Sequence, residues 1–290
     1  MPELEPAEFT AGEGPALRGE TIGEGPAVVL CHGISATRRY VVHGSKLLPR
    51  RGFELITYDA RAHGESDAAP PGQGYGYPEL VGDLRSVLAT KAGERRFVLG
   101  GHSMGAHTAI AYTLEHAERV AGLVLIGPVY RGLVTNEVLE YWDGLAAALE
   151  EGGVDGFAAY IEAAGISPAW RETVLRITRQ RISLHRHPAA LAEALRQIPR
   201  SRPFETMTEL ELLDVPTIVV ASHDVADPGH PYAVAEAYAE AIPGARLISE
   251  AEDESPLAWQ GGKLSREIAA FCAETAVSER LQGGRTSPAQ

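Results

Sequence analysis

Ser103 lies at the centre of residues 101–105, which read GHSMG and match the pattern G-x-S-x-G. The apolar residues 97–100 before this motif predict a strand, and residues 106–115 after it predict a helix. A serine on a strained turn between a strand and a helix needs small neighbours, which the two glycines supply. The start of the helix offers unpaired N–H groups to a developing oxyanion. The pattern therefore predicts a nucleophilic serine.

Two further motifs follow predicted strands nearer the amino terminus. The sequence HGI at residues 32–34 comes directly after the strand at 27–30, and DARAHGES at residues 59–66 comes directly after the strand at 54–58. Together with the serine turn, the three motifs resemble the α/β-hydrolase superfamily, especially its capped esterase, lipase and lactonase branch. The resemblance covers about residues 16–273.

The resemblance implies a role for each matching residue. Ser103 is the nucleophile, and the backbone N–H groups of Ile34 and Met104 form the oxyanion hole. In this superfamily the catalytic triad follows the order serine, acid, histidine. Asp224, just past a predicted strand, matches the acid. Asp227 is a weaker candidate, because an aspartate before a proline often forms a turn.

The catalytic histidine that the resemblance implies is missing from its usual place. The family keeps it in the loop after the last strand, which we predict at residues 246–248, yet none of the ten histidines lies after His230. An acidic run fills this loop instead, and Glu254 occupies the place of the histidine in the alignment. Loss of the base from such a triad lowers turnover about a million-fold in a serine protease.

Three interpretations of the missing histidine stay open. In the first, Glu254 is the base, because burial beside Asp224 would raise the pKa of one carboxylate above the usual value of about 4.3. In the second, a histidine from another segment is the base: His230, or His185 and His187 in the helical insertion. In the third, the protein hydrolyses nothing through a triad and binds a ligand, or uses the oxyanion hole for a non-hydrolytic reaction.

The elements that position these residues alternate between short apolar runs and longer amphipathic stretches, as in a parallel sheet with crossover helices. We predict an α/β protein with the α/β-hydrolase fold: a mostly parallel sheet of the eight-stranded type, flanked by helices, with a helical cap. The predicted strands are 27–30, 54–58, 97–100, 122–126, 217–221 and 246–248, with an earlier strand pair around 16–22. The predicted core helices are 77–91, 106–115, 231–241 and 263–276.

Residues 130–213 break the alternation, because their apolar residues repeat with a helical period and no strand candidate interrupts them. We predict that they form the cap, with helices at 136–150, 154–164, 168–183 and 188–198. The core then comprises residues 15–129 and 214–277. We predict that the polar termini, residues 1–14 and 278–290, are loosely ordered.

The composition narrows the range of partners and locations. The 290 residues carry a formal net charge of −13, which disfavours binding to nucleic acid or to anionic membrane surfaces. No apolar run approaches the roughly 18 residues of a transmembrane helix. Two cysteines without metal-ligand spacing, and an amino terminus unlike a signal peptide, predict a cytoplasmic location. We expect no cofactor and no metal, because the acidic run lacks a recognised cation-binding spacing.

Aromatic residues of the predicted cap favour an apolar pocket with a few polar groups. The leading prediction is a serine hydrolase that acts on a small or medium ester, lactone or thioester through Ser103, with an atypical base. The alternative is a catalytically silent homologue that binds a small apolar ligand under the cap. The expected partner is a small molecule, and the sequence leaves open whether the chain forms a homodimer.

Overall fold

The computed structural model describes residues 4–223, 227–251 and 254–283. Within these residues one sheet contains eight strands: β1 (Ala7–Ala11), β2 (Leu17–Ile22), β3 (Ala27–Cys31), β4 (Glu54–Tyr58), β5 (Phe97–His102), β6 (Val120–Ile126), β7 (Thr217–Val220) and β8 (Arg246–Ile248). Their order in the sheet is β1-β2-β4-β3-β5-β6-β7-β8. The first two strands are antiparallel to their neighbours, and the other pairs are parallel. The predicted fold class is therefore confirmed.

The central strands consist of apolar and small residues because helices cover both faces of the sheet. Every residue of β3 and β6 is buried. Alternate side chains of β3 point to opposite faces, so Val28 contributes to one apolar cluster and Val29 to the other. The parallel register sets Cys31 beside Gly101 and His102 beside Ile126. The loops after β3, β5 and β6 therefore meet at one edge of the sheet.

Nine helices flank or cap the sheet in the described residues. They are α1 (Leu47–Arg50), α2 (Tyr77–Lys91), α3 (Met104–Glu115), α4 (Asn136–Ala164), α5 (Arg171–Ile182), α6 (Pro188–Gln197), α7 (Tyr232–Ala241), α8 (Gly261–Ala273) and α9 (Thr275–Gln282). One face of the sheet packs against α2, α3 and α7, and the other packs against α1, α8 and α9. None of the described helices combines the length and apolar content needed to cross a bilayer.

The cap consists of α4, α5 and α6, which share an apolar cluster of their own around Leu149, Phe157 and Leu191. The predicted gap between its first two helices is a kink at Gly153 within α4, where φ is 57°. The segment that follows α5 joins the cap to the core loop after β4. Gly64 N donates to Nδ1 of His185 (2.8 Å), and Arg186 N donates to the Gly64 carbonyl (2.9 Å). These bonds fix the cap beside the carboxyl edge of the sheet.

The prediction that both termini are loosely ordered is wrong for residues 7–11 and 278–282. The first of these segments is β1, which pairs with β2 and sets Phe9 opposite Gly19. A Cβ on Gly19 would lie 2.2 Å from the Phe9 ring, so the glycine leaves room for an aromatic side chain over the strand. The second segment belongs to α9, which the buried Val277 ties to the core.

Candidate active site

Ser103 sits on the turn between β5 and α3 with φ 52° and ψ −113°, a conformation that non-glycine residues rarely adopt. Close packing of its neighbours holds this strained turn. A Cβ on Gly101 would lie 2.3 Å from the Gly105 carbonyl carbon, and a Cβ on Gly105 would lie 2.2 Å from the Cys31 carbonyl oxygen. Both clashes are with backbone, which cannot move aside, so only glycine fits at either position.

The surroundings of Ser103 leave its hydroxyl and two nearby amides without protein partners. Ser103 N donates to the Ile126 carbonyl (2.9 Å), but its hydroxyl bonds to no described residue. The loop after β3 lies against it, because a Cβ on Gly33 would be 3.4 Å from the Ser103 Cβ. Within the described chain, the Ile34 N–H has no acceptor. The Met104 N–H is at the first position of α3, where the helix supplies no carbonyl acceptor for it.

Asp227 and His230, in the loop between β7 and α7, form an acid–imidazole pair next to this turn. Nδ1 of His230 donates to Oδ2 of Asp227 at 2.8 Å. The His230 ring lies over Gly127, where an added Cβ would be 3.1 Å from it, and Gly127 directly follows β6. The His230 and His102 ring centroids are 4.6 Å apart. The pair therefore stands beside the residue that precedes Ser103.

The charges of this group are set by burial and by its members' mutual contacts. Burial lowers the pKa of His102 to about 3, with a further contribution from His230, so this ring is neutral at neutral pH. Burial alone would raise the pKa of Asp227, but His230 outweighs it and, with His102 and Arg181, lowers the value to about 2. Asp227 is therefore a carboxylate that holds His230 through Nδ1 and leaves Nε2 for proton transfer.

The other histidines that the sequence offered as a base are engaged or remote. Both ring nitrogens of His185 are hydrogen-bonded to backbone, since Nε2 donates to the Ser35 carbonyl (3.1 Å) and Nδ1 accepts from Gly64 N. His187 is exposed at the start of α6. Of the relocated bases considered from the sequence, His230 is the one that lies beside the serine turn.

Glu254 has surroundings opposite to those expected for a carboxylate base. Its side chain is exposed and forms an ion pair with Lys263, and this hydrogen bond lowers its pKa. The prediction that burial raises the pKa of Glu254 is therefore wrong. Asp224, the predicted acid, lies outside the described residues.

Glu250 is the buried acid of the loop after β8. Its carboxylate accepts hydrogen bonds from His223 N (2.5 Å) and from Leu257 N (2.9 Å). These bonds join the segment after β7 to the segment after β8.

The charged residues of the motif after β4 form buried ion pairs. Arg61 makes two hydrogen bonds of 2.7 Å to the buried carboxylate of Asp83 and one of 2.9 Å to the Gly74 carbonyl. Asp59 is buried and pairs with Arg38.

One group of three residues in the described ranges could contact a metal ion, namely His102, Asp227 and His230. Their nearest ligand atoms lie within 4.8 Å of one another. Zinc ligands at about 2.1 Å from the ion lie at most about 4.2 Å apart, so this group would have to contract. Asp227 already accepts from His230, and the positive charge of Arg181 acts on the same carboxylate. The geometry fits a hydrogen-bonded acid–imidazole group better than a metal centre.

The cap meets the loop after β8 through aromatic rings. Trp170, just before α5, and Trp259 contact each other edge to face, with centroids 5.8 Å apart. Arg181, at the end of α5, is the residue near the site that sequence reasoning missed, because an arginine in a helix full of arginines carries no distinguishing signal.

Comparisons with known proteins agree with the fold. A family model described as "alpha/beta hydrolase fold" matches residues 26–208. AB hydrolase superfamily protein YisY of Bacillus subtilis is 35% identical over 97 residues, which cover 33% of this chain and 35% of that protein. Epoxide hydrolase B of Mycobacterium tuberculosis is 34% identical over 109 residues, covering 38% and 30% of the two chains. The matches thus span about a third of these curated relatives.

Solved structures show the same fold along almost the whole chain. A thermophilic esterase from Thermogutta terrifontis, with malate bound, superposes with a TM-score of 0.74 and 23% sequence identity. The superposition covers 97% of this chain and 100% of the esterase chain. At this identity the likeness establishes the architecture, and the chemistry must be argued from the residues of the site.

Proposed function

Because the chain belongs to the α/β-hydrolase family, we propose that it is a serine hydrolase that cleaves a small or medium ester, lactone or thioester. One observation carries the proposal: Asp227 and His230 form an acid–imidazole pair beside the strained Ser103 turn, in a chain without a histidine after β8. We take His230, and neither Glu254 nor His185, as the base. Asp227 then has the orienting role that the family gives to its acid.

The proposed reaction runs through an acyl-enzyme. Nε2 of His230 takes the hydroxyl proton as Oγ of Ser103 attacks the carbonyl carbon, and the Ile34 and Met104 N–H groups hold the negative oxygen. The tetrahedral intermediate collapses, the C–O bond to the alcohol breaks, and the imidazolium returns its proton to the leaving oxygen. Water then attacks the acyl-enzyme with the same base, which releases the acid and restores the Ser103 hydroxyl.

The electrostatics support His230 in this role. The Asp227 carboxylate stays ionised down to about pH 2 and can stabilise the imidazolium that forms during each half-reaction. His102, whose pKa is lowered to about 3, adds no opposing positive charge at neutral pH. In an empty site the hydrogen bond from a serine to its base is often long and tightens only when substrate binds, so the unpaired Ser103 hydroxyl is compatible with the mechanism.

A second candidate function, ligand binding without hydrolysis, is favoured by one observation. No hydrogen bond joins the Ser103 hydroxyl to an imidazole in the described residues. If the distance does not close on binding, Ser103 stays a weak nucleophile, and the oxyanion-hole amides serve only to hold a polar ligand. The two functions differ in whether Ser103 is activated.

Labelling with a fluorophosphonate probe tests this difference directly. We expect rapid formation of an adduct in the wild-type protein, its loss in Ser103→Ala, and normal labelling of Ser86→Ala, a serine on the surface of α2. Hydrolysis of p-nitrophenyl butyrate should fall about 10⁵-fold in Ser103→Ala. Absence of labelling in the wild type, even at pH 9, would establish the ligand-binding alternative.

A further inference from the structure

Arg181 is a mostly buried arginine whose guanidinium has no hydrogen-bonded partner among the described residues. Its Nε atom is fully enclosed and unpartnered, and no hydrogen bond or ion pair joins its guanidinium to any residue that the structure describes. Burying a cation without a partner is expensive in free energy. The buried Arg61 follows the usual rule, because its guanidinium makes two hydrogen bonds to Asp83. Arg181 therefore has no hydrogen-bonded negative partner among the described residues, although the charge of the Asp227 carboxylate acts on it without direct contact.

Two tyrosines from different elements interact electrostatically with this guanidinium. Tyr40 comes from the loop after β3 and Tyr141 from α4, and neither hydroxyl bonds to a described residue. Burial raises the pKa of both tyrosines, and the charge of Arg181 opposes the shift in each. Both hydroxyls are therefore protonated donors at neutral pH. Together with the guanidinium they form a set of donors under the cap.

The positive charge of Arg181 also acts on the proposed catalytic group. Arg181 is among the groups that act on Asp227 and on His102, the residue before Ser103. The end of α5 lies against the loop that carries the oxyanion-hole residue Ile34, because His185, four residues after Arg181, donates from Nε2 to the Ser35 carbonyl (3.1 Å). The chain as a whole carries a net charge of −13, so this positive position contrasts with a surface that repels anions.

We propose that Arg181, with the hydroxyls of Tyr40 and Tyr141, binds a carboxylate of the substrate, so that the hydrolase selects short acyl esters or lactones that carry a free acid group. This inference rests on the proposed function of Ser103. A guanidinium offers parallel N–H donors that match the two oxygens of a carboxylate, and the tyrosines add donors from the opposite side. The acid group is bound at a fixed distance from the scissile carbonyl, which sets the length of the acyl chain.

A different role for Arg181 would be to hold Asp227 electrostatically. That role predicts a loss of kcat for every substrate, charged or neutral, with KM unchanged. Carboxylate binding predicts instead a loss confined to acidic substrates and expressed mainly in KM, because the contact is present in both the bound substrate and the transition state. The two roles are therefore separable by kinetics.

The test uses matched substrates and a binding probe that needs no turnover. The methyl half-esters of succinic, glutaric and adipic acid are compared with their dimethyl esters, which differ only in the capped acid. Glutarate binding is measured by calorimetry. The proteins are wild type, Arg181→Gln, Arg181→Lys and Arg179→Gln, the last removing an exposed arginine of the same helix that pairs with Asp155.

We expect the wild type and Arg179→Gln to bind glutarate and to prefer at least one half-ester over its diester by tenfold or more in kcat/KM. Arg181→Gln should lose tenfold or more in glutarate affinity and lose the preference, with diester rates within threefold of wild type. Arg181→Lys should fall between them, since it keeps the charge without the planar donors. The melting temperature of Arg181→Gln should change little, because the guanidinium makes no hydrogen bond or ion pair with a described residue that the variant would lose.

The inference is overturned if glutarate does not bind the wild type, if Arg181→Gln binds it equally, or if that variant loses kcat alike on half-esters and diesters. Failure of the proposed function gives a different result. If no ester is hydrolysed while glutarate still binds through Arg181, the carboxylate site stands and the serine hydrolase does not.

Discussion

The two walls of the site use histidine in different ways. On the wall formed by the loops after β3 and β4, His32 donates from Nδ1 to the Gly33 carbonyl (2.8 Å) and accepts from Ala60 N at Nε2 (2.9 Å). His185 likewise has backbone partners at both nitrogens. On the wall formed by the loop after β7, His230 bonds through one nitrogen to a carboxylate and keeps the other open.

This difference separates structural from chemical histidines better than burial does. A ring with backbone partners at both nitrogens is held as a neutral scaffold, and it cannot exchange a proton without breaking the loop that it supports. A ring held by a carboxylate at Nδ1 is oriented, and Nε2 remains for a substrate or a serine. Each prediction below changes one wall and leaves the other intact.

Asp227→Asn should give the largest effect. The amide cannot stabilise the imidazolium, so kcat/KM should fall about 10³- to 10⁴-fold, while the melting temperature changes little. Asp155→Asn, on the surface of the cap, serves as the control and should keep full activity. Treatment with EDTA should leave the wild-type rate unchanged. A rate that drops on chelation and returns with a divalent ion would instead make His102, Asp227 and His230 metal ligands.

Gly127→Ala should have an intermediate effect through His230. Gly127 has φ 52°, so alanine strains the backbone, and the new Cβ would also press on the His230 ring at 3.1 Å. Gly244→Ala is a matched control, because φ is 70° and no atom lies within 4 Å of the added Cβ. Both variants should lose about 1 kcal/mol of stability. Only Gly127→Ala should lose activity as well, about 10- to 100-fold, and equal activity in the two variants would remove His230 from the mechanism.

Lowering the pH should destabilise the wall formed by the loops after β3 and β4, and we expect this effect to be the smallest of the three. Burial lowers the pKa of His32 to about 4 and the pKa values of His63 and His185 to about 3. The unfolded chain titrates near pH 6.5 and so binds more protons between these values, which means that stability is complete above pH 6.5 and falls as the pH decreases. At pH 5.5 each ring should cost on the order of 1 kcal/mol.

Thermal unfolding at pH 7.5 and 5.5 measures this loss as a decrease of several degrees in the melting temperature. His63→Gln should show a smaller decrease between the two pH values, because one titrating group is gone. His116→Gln, on the surface after α3, should show the wild-type decrease. If His63→Gln retains the full decrease, the buried imidazoles are not its source.

The sequence predicts the structural wall and the serine turn well because local physics dictates them. Strained backbone at Ser103 and backbone clashes at Gly101 and Gly105 leave a recognisable pattern of small residues. The periodicity of the apolar residues predicts the strands and the helical cap. It also predicts the core helices to within a few residues. The strand at 7–11 escaped because its stability comes from pairing with β2, and a short polar segment carries no trace of a distant partner.

The base was harder to predict, since its position depends on a contact between loops. Alignment to the family pointed to Glu254, but an alignment carries no information about exposure, and Lys263 takes that carboxylate. His230 lies before the last strand, whereas the family keeps its histidine after that strand. Its place beside Ser103 depends on the turn that begins at Asp227 and on the open surface of Gly127, neither of which is visible in a linear pattern.

The central claim is that His230, and not Glu254, is the base that activates Ser103. The most direct measurement compares kcat/KM for p-nitrophenyl butyrate in His230→Gln and Glu254→Gln, with melting temperatures to confirm that both variants fold. We predict a loss of at least 10³-fold in His230→Gln and a change of less than about threefold in Glu254→Gln. Full activity in His230→Gln, or a large loss in Glu254→Gln, would contradict the account.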